Sequence, residues 1–390
     1  MNHSLAMWYF KMKNISQKKL RICLLSEYAY SLLTGVGDRV GGAEMQMILL
    51  GKELVKRSYD VSFVTFQKTK NSPEMIENLK VYNPFNIKKS GYTYFYLFNL
   101  YRLFKILNHI DADIYIQRGK TPLTGLILFF TKLKNKSFIH MMSSESNASS
   151  DLTIKTFKDL KKIFYRLGVQ YCDFVICQTN HQKELLARTI NKTGKVIKNI
   201  CDIKQKNYVR NKENTLKILW VGRLLKSKKP DLFLLLAKNI PDFKFWIIGS
   251  PSDEEPEYYR EIKEDANKIH NLDFIGFVPH NEMQKYYEKT SLLINTSENE
   301  GFPNTFLEAW ENAIPVVSLA FDPDEIICKY VLGFHPMTFN DLVKDIHLLV
   351  TNEKLRITMG INGKDYVIRE HNITNIINEY EQIFKEIKIC

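Results

Sequence analysis

Glu300-Gly301-Phe302-Pro303-Asn304-Thr305-Phe306-Leu307-Glu308 follows an apolar run, Leu292-Leu293-Ile294, that closes on the polar Asn295-Thr296-Ser297. That order reads as strand, loop, helix. Pro303 suits the first turn of a helix, where the N–H it lacks would have no partner anyway, and 305–312 contains no breaker. Glu300 is therefore expected in the loop at the helix N-terminus, with Glu308 two turns further along. Such a loop gathers backbone N–H groups and the positive end of a helix dipole at the carboxyl edge of a sheet, where open α/β sheets bind ligands. Two isolated glutamates are more often solvated surface acids, so their role depends on what the rest of the chain places around them.

The same alternation continues on both sides of this stretch. The second half predicts strands at 216–221, 243–248, 274–275, 292–294 and 315–317, with helices over 230–239, 257–269 and 283–288. The first half predicts strands at 21–25, 61–66, 114–116, 137–140 and 174–177, with helices over 43–56, 123–133 and from about 156. Strands that alternate with helices argue for parallel sheets covered on both faces. From 199 to 214 the apolar periodicity lapses, and 390 residues suffice for two cores. The expected fold is α/β, with two Rossmann-like doubly wound parallel-sheet domains facing a central cleft. Its expected limits are 1–200 for the first domain, 201–214 for a linker, 215–372 for the second domain, and 373–390 for a C-terminal helix packing back toward the first. The less regular region 67–107 carries Tyr92, Tyr94, Phe95, Tyr96, Phe98 and Tyr101; core packing is expected for them, contact with a lipid or acceptor being the alternative.

Hydrophobic residues make up 45% and charged residues 25% of the chain, the balance of a soluble globular protein. Fifty-five basic against 43 acidic residues leave a net charge of +12, which favours an anionic partner: a phosphate-bearing ligand, an anionic membrane face or nucleic acid. The lysine-rich amphipathic run 155–167 reads as a solvated helix face, with a membrane-surface helix as the sharper alternative. Six scattered cysteines form no CxxC pair. Cys172 and Cys177 flank one strand and read as buried thiols in a reducing compartment, with no metal site. Residues 1–19 lack the apolar core of a signal peptide, and the longest apolar runs, such as 126–130, fall far short of the ~20 residues that cross a bilayer. The expected location is cytoplasmic, peripheral on the inner face of the cytoplasmic membrane.

Four places could carry chemistry. Gly41-Gly42-Ala43-Glu44 opens the first long helix, where glycines let a phosphate approach the backbone; it is no GxGxxG, so no dinucleotide fingerprint is read. Val221-Gly222-Arg223-Leu224-Leu225-Lys226-Ser227-Lys228-Lys229-Pro230 is the matching loop of the second domain. There Arg223 can make forked contacts to phosphate oxygens and Lys228 adds a point charge. No GxxxxGK[ST] loop accompanies it, which argues against an ATPase. Of two D-x-D tripeptides, Asp111-Ala112-Asp113 precedes its strand and reads as a solvated turn, whereas Asp322-Pro323-Asp324 follows a strand and could hold a cation on a diphosphate. His140 closes the strand 137–140 and is expected at the carboxyl edge, facing the cleft.

In order and at these spacings, the residues resemble glycosyltransferase family 4, with the two-domain GT-B fold, over most of the chain. The resemblance rests on Gly41 to Glu44, on Val221-Gly222-Arg223 with Lys228, on Glu300-Gly301-Phe302 with Glu308, on Pro315-Val316-Val317, on 271–276 as the segment meeting the base and on 197–202 as a hinge. It implies a retaining, nucleotide-sugar-dependent enzyme that needs no metal or cofactor, with an N-terminal acceptor domain and a C-terminal donor domain. Glu300 is implied to bind the donor sugar and steady positive charge at the anomeric carbon, and Glu308 to hold the ribose. Arg223, Lys228 and the N–H groups near Gly301 and Phe302 are implied to stabilise the leaving diphosphate, while His140 is implied to contact the sugar from the first domain. The chain departs from the family pattern at Arg57-Ser58-Tyr59, at Lys198-Asn199-Ile200 and at Asp322-Pro323-Asp324-Glu325, the last of which bears on donor preference.

The expected activity is transfer of a sugar from a UDP- or GDP-sugar onto a lipid-linked or polysaccharide precursor at an anionic membrane surface, with no nucleic-acid partner. The rivals are a nucleotide-sugar epimerase or hydrolase of the same architecture, and a non-catalytic binder of anionic lipid or nucleic acid.

Overall fold

The structure, a computed structural model, describes residues 19–35, 41–67, 72–87, 92–148, 160–203, 216–252 and 255–389. The N-terminal residues 1–18, the start of the lysine-rich run at 155–159, most of the expected linker and Cys390 lie outside the described residues.

The first domain contains β1 (Arg21–Leu25), α1 (Ala29–Thr34), α2 (Gly42–Lys56), β2 (Asp60–Val64), β3 (Glu74–Ile76), β4 (Leu79–Tyr82), α3 (Leu97–Ile110), β5 (Ile114–Arg118), α4 (Leu123–Leu133), β6 (Ser137–Met141), α5 (Leu160–Tyr171), β7 (Phe174–Cys177), α6 (Asn180–Ile190) and β8 (Lys195–Val196). Its sheet runs β3-β4-β2-β1-β5-β6-β7-β8, parallel except for the β3–β4 hairpin. Both faces are covered: along β1, Cys23 and Leu25 enter one core while Ile22 and Leu24 enter the other. Such strands read as unbroken apolar runs, because alternate side chains go to opposite faces and neither face meets water.

The second domain contains β9 (Lys217–Val221), α7 (Pro230–Asn239), β10 (Lys244–Ile248), α8 (Pro256–Ala266), β11 (Leu272–Gly276), α9 (Gln284–Tyr287), β12 (Leu292–Asn295), α10 (Asn304–Glu311), β13 (Val316–Ser318), α11 (Ile326–Lys329), β14 (Gly333–Phe334), α12 (Phe339–Thr351) and α13 (Glu353–Glu370). Its wholly parallel sheet runs β11-β10-β9-β12-β13-β14. Strand order therefore reverses between β9 and β12, and in the first sheet between β1 and β5. At such reversals the loops leave toward opposite faces and open a crevice at the carboxyl ends of the strands. The two crevices meet in a cleft of about 780 Å³.

The final helix, α14 (Ile373–Ile389), returns to the first domain, where Ile376, Ile377, Tyr380, Ile383 and Phe384 join the core of β1 and β2. Arg57 clasps it through Glu381 at 3.0 Å and Asn378 at 2.6 Å. The chain thus crosses between domains twice, and the crossings touch where the Cys201 N–H donates to the His371 carbonyl at 3.1 Å.

Region 67–107 differs from expectation. It holds the short β3–β4 hairpin and α3, whose buried stripe is Leu103, Leu107 and Ile110. That stripe, spaced by four and three, turns Phe98 and Tyr101 to the opposite side. Tyr96, Leu97, Phe98 and Tyr101 are accordingly all more than half exposed, so this part of the aromatic cluster is not core.

Candidate active site

Between β9 and β12 the sequence supplies a self-bracing pair of loops. The Trp220 indole donates to the Thr296 hydroxyl at 3.0 Å, and that hydroxyl donates to the Lys228 carbonyl at 2.7 Å. This chain fixes the backbone of Lys228 at the cleft, where its ammonium pairs with the Glu300 carboxylate. Arg223, exposed in the loop just after β9, lines the same cleft. Pro303 has an extended ψ of 124° and is the N-cap of α10, one residue earlier than the first-turn place expected for it. The first turn of α10 still borders the cleft through Asn304 and Thr305, so its leading N–H groups and dipole favour an anion there. Glu308 sits one turn into α10 and accepts the Tyr287 hydroxyl at 2.6 Å, with His280 at 3.8 Å. Burial and that carboxylate push the Tyr287 phenol well up, so it stays a donor. Glu300 and Glu308 therefore share one cleft, held by different partners.

The first domain closes the opposite wall. Gly41 and Gly42 line it at the start of α2, and the Gly42 carbonyl accepts Asn304 Nδ2 at 2.9 Å. A Cβ on Gly42 would stand 3.0 Å from that nitrogen, so the glycine keeps the approach open. Behind it lies a buried amide network. Asn199 Oδ1 accepts Arg118 at 3.0 Å and Gln178 at 2.9 Å, while Asn199 Nδ2 donates to the Phe302 carbonyl at 3.0 Å. The Gln46 amide joins it through both backbone groups of Ile200, at 2.6 and 2.8 Å. Desolvation brings the Arg118 guanidinium down to about 10, which leaves it cationic at neutral pH. Gly301 packs directly on the first domain; a Cβ there would overlap the Ser143 carbonyl and Gln178 Oε1.

His140 does not face the cleft. Its ring lies fully buried beneath α5, with Nδ1 3.0 Å from Gln117 Oε1 and Nε2 3.3 Å from the Tyr165 hydroxyl. The strand continues to Met141, and alternation along it puts residue 140 on the same face as Phe138, toward the helices. Desolvation lowers the imidazole to about 3, so it is neutral. Ser143 and Ser144, just beyond the strand, occupy the place expected for it. The Phe302 ring is likewise buried, 4.8 Å from the His371 ring, while the Phe302 carbonyl accepts Asn199 Nδ2 at the cleft. Asn271 is spent on the carbonyls of Ala237, Ile240 and Phe243, while Phe277 and Val278, just past the expected base segment, line the cleft.

The D-x-D pairs separate. Asp111 lies at the amino edge, where Lys136 at 2.8 Å and Arg21 at 2.7 Å hold its carboxyl down at about 2; the turn is ion-paired as well as exposed. Asp324 instead reaches the first domain, accepting the N–H groups of Asn180 at 2.8 Å and His181 at 3.0 Å at the start of α6.

Sequence reasoning missed Arg118, Gln178, Tyr287 and Asn304 as parts of this site. Only Arg118 carried a local signal, a polar Gln117-Arg118 pair ending an apolar strand.

A cleft with two cations and a helix N-terminus on one wall suits a diphosphate, and two oriented carboxylates suit hydroxyl groups. Residues 40–205 match Glycosyltransferase Family 4, and residues 202–366 match Glycosyl transferases group 1. An uncharacterized glycosyltransferase of Haemophilus influenzae is 26% identical over 362 residues, which cover 88% of this chain and 96% of that protein. The amylovoran biosynthesis glycosyltransferase AmsD of Erwinia amylovora is 26% identical over 345 residues, 83% of this chain and 90% of its own. Among solved structures, sucrose-phosphate synthase from Thermosynechococcus elongatus superposes with a TM-score of 0.77 at 15% identity, over 95% of this chain and 100% of that one. Anabaena HepE, in complex with UDP and glucose, superposes at 0.75 and 14% identity, over 94% and 100%. The chain belongs to the two-domain GT-B glycosyltransferases, family 4 in its N-terminal half and group 1 in its C-terminal half.

Proposed function

We propose that this glycosyltransferase moves a sugar, with retention of anomeric configuration, from a nucleotide diphosphate sugar to a lipid-linked or polysaccharide precursor of a cell-surface glycan. The observation that carries this reading is the Lys228–Glu300 pair beside Arg223 and the N-terminus of α10. An arriving diphosphate competes for Lys228 and frees Glu300 to accept the sugar hydroxyls. As the bond from the anomeric carbon to the phosphate oxygen breaks, negative charge grows on the diphosphate. Arg223, Lys228 and the first N–H groups of α10 meet it there, in place before the charge develops. Glu300 steadies the positive charge left on the sugar, and Glu308, aimed by Tyr287, takes the ribose hydroxyls. Two cations and a helix dipole supply the counter-charge, so the reading assigns the reaction no metal. The amylovoran pathway of AmsD and the UDP and glucose bound by HepE support the donor and acceptor classes.

A lipid-linked acceptor requires the enzyme at a membrane surface. The outward faces of α3 and α4 supply an apolar patch in Leu97, Phe98, Tyr101, Phe129 and Leu133, with exposed Arg102, Lys105, Lys132 and Lys134 among them. Apolar anchors among cations suit an anionic interface.

The test is thermal stability against UDP, GDP, ADP and their sugars, followed by turnover of the stabilising donor. A donor at 100 times its dissociation constant adds about 2.7 kcal/mol. Glu300→Gln is expected to lower turnover by about 100-fold or more, and Arg223→Ala to weaken donor binding. Wild-type-like transfer by both variants, or stabilisation by none of the nucleotides, overturns the reading.

A further inference from the structure

Away from the cleft, three segments of the second domain bring unlike donor atoms together. Asp322 caps the short helical turn Pro323–Glu325 in the loop after β13, Cys328 lies in α11, and His335 follows β14. Their carboxylate, thiol and imidazole atoms all lie within 4.8 Å of one another. None of the three residues lines the cleft. The His335 Nε2 atom is buried and has no hydrogen-bond partner among the described residues, a state that costs free energy unless something else occupies its lone pair or proton. Asp322 is oriented by the Ile327 N–H at 2.9 Å and the Cys328 N–H at 3.2 Å. A carboxylate has about four acceptor positions, so two backbone bonds leave room for a further ligand. Cys328 is exposed, whereas Cys23, Cys172, Cys177 and Cys201 are buried.

We infer that Asp322, Cys328 and His335 form a site for a divalent transition-metal ion, zinc by the character of its donors, with water completing the shell. A sulfur, an imidazole nitrogen and one carboxylate oxygen are the ligands zinc takes, at about 2.0–2.3 Å. Magnesium and calcium prefer all-oxygen shells. Tetrahedral ligands at those lengths lie about 3.3–3.8 Å apart, so the cluster closes onto an ion by a movement of about 1 Å, which the exposed Cys328 side chain can supply. Binding exchanges the thiol proton for the metal: the Cys328 sulfur becomes a thiolate bound to zinc, and one proton leaves to solvent. Because the thiol gives up its proton on binding, metal uptake depends on pH. His335 gives its Nε2 lone pair with the proton on Nδ1, and the backbone bonds to Asp322 serve as its outer shell.

The site has a structural consequence. Between Asp322 and Cys328 the chain makes a turn in which Asp324 and Glu325 take left-handed φ values of 50° and 58°, a conformation unfavourable for residues with side chains. That turn carries the Asp324 carboxylate across to α6 of the first domain. An ion held by Asp322 and Cys328 fastens the turn on both sides and so steadies the latch between domains. The proposal is independent of the donor and acceptor assigned above, since the ion takes no part in sugar transfer.

Full-length protein carrying no histidine tag, dialysed against zinc and then against metal-free buffer, is expected to retain one equivalent by elemental mass spectrometry. Cys328→Ser and His335→Gln are expected to weaken retention by more than about 100-fold, beyond what loss of an outer-shell partner costs. Cobalt in place of zinc is expected to show a thiolate charge-transfer band in the wild type and none in Cys328→Ser. A measurement on unaltered protein guards against misfolded variants: zinc should slow alkylation of Cys328, read at that cysteine by peptide mass spectrometry. Failure of the wild type to retain zinc, equal retention by both variants, or an alkylation rate indifferent to zinc overturns the site.

Discussion

Gly301 lies so close to the Ser143 carbonyl that a side chain of even one carbon at position 301 would overlap that oxygen. Beside it the Glu145 N–H donates to the Glu300 carbonyl at 3.1 Å. The loop that bears the donor-facing glutamate is thus also the place where the domains touch, and the glycine serves both.

Replacing Gly301 by alanine wedges the domains apart without entering either core. The expected outcome for G301A is a fall in kcat/KM of about 100-fold, the scale set by displacing reacting groups by about 1 Å. Solution scattering should show a more open particle, and the melting temperature should change little. Normal turnover with a closed shape would show that the contact is dispensable.

Tyr287 acts on Glu308 through a single hydrogen bond of 2.6 Å. Tyr287→Phe keeps the ring in its core and removes only the hydroxyl. A bond to a charged acceptor contributes about 1.5–3 kcal/mol, so donor KM should rise roughly tenfold or more while kcat changes little. An effect on kcat alone would remove Glu308 from the ribose and place it nearer the chemistry.

Acid stability follows from two buried histidines. Desolvation holds both His140 and His371 at about 3, against an ordinary 6.5. Between those values the unfolded chain binds protons that the folded chain does not, so stability falls as pH drops from 6.5 toward 3. Each histidine contributes up to about 1.4 kcal/mol per pH unit. Urea unfolding at a series of pH values should show this slope, and His140→Gln should remove its share. A slope unchanged in the variant would mean that His140 takes up a proton in the folded state.

Membrane attachment is tested by Leu97→Glu with Phe98→Glu, both on the exposed face of α3. Burying one large apolar side chain contributes about 1.5–3 kcal/mol, so binding to anionic vesicles should weaken by roughly 100-fold or more. Donor binding should be unaffected, because neither residue lines the cleft. Equal sedimentation with vesicles would exclude this face as the anchor.

Much of the architecture was legible because periodicity is a local property. The longer parallel strands, such as β1 and β12, are buried on both faces and read as apolar runs, and a helix such as α2 shows its stripe in Met47, Leu50 and Leu54. The exceptions are instructive. β3 and β4 are three and four residues long, too short for an alternation to register. Phe98 and Tyr101 were expected inside because aromatic residues usually are; which side of α3 is buried depends on Leu103, Leu107 and Ile110 meeting the sheet. His140 sits at the expected carboxyl edge of its strand, yet one more residue of strand and the position of α5 turn its ring inward.

By itself, the sequence determined the main alternation of strands and helices in both domains, the loops that end at a carboxyl edge, and the order of Gly41-Gly42, Arg223, Lys228, Glu300 and Glu308 along the chain. These depend on backbone preferences and spacings within a few tens of residues. Only the tertiary structure decided that Asn199 joins Arg118 and Gln178 to Phe302, that Tyr287 aims Glu308, that Asp324 latches onto α6, and that Asp322, Cys328 and His335 converge. Those contacts link residues from separate elements, some from opposite domains, and their geometry is set by how two sheets face each other, which no local pattern encodes.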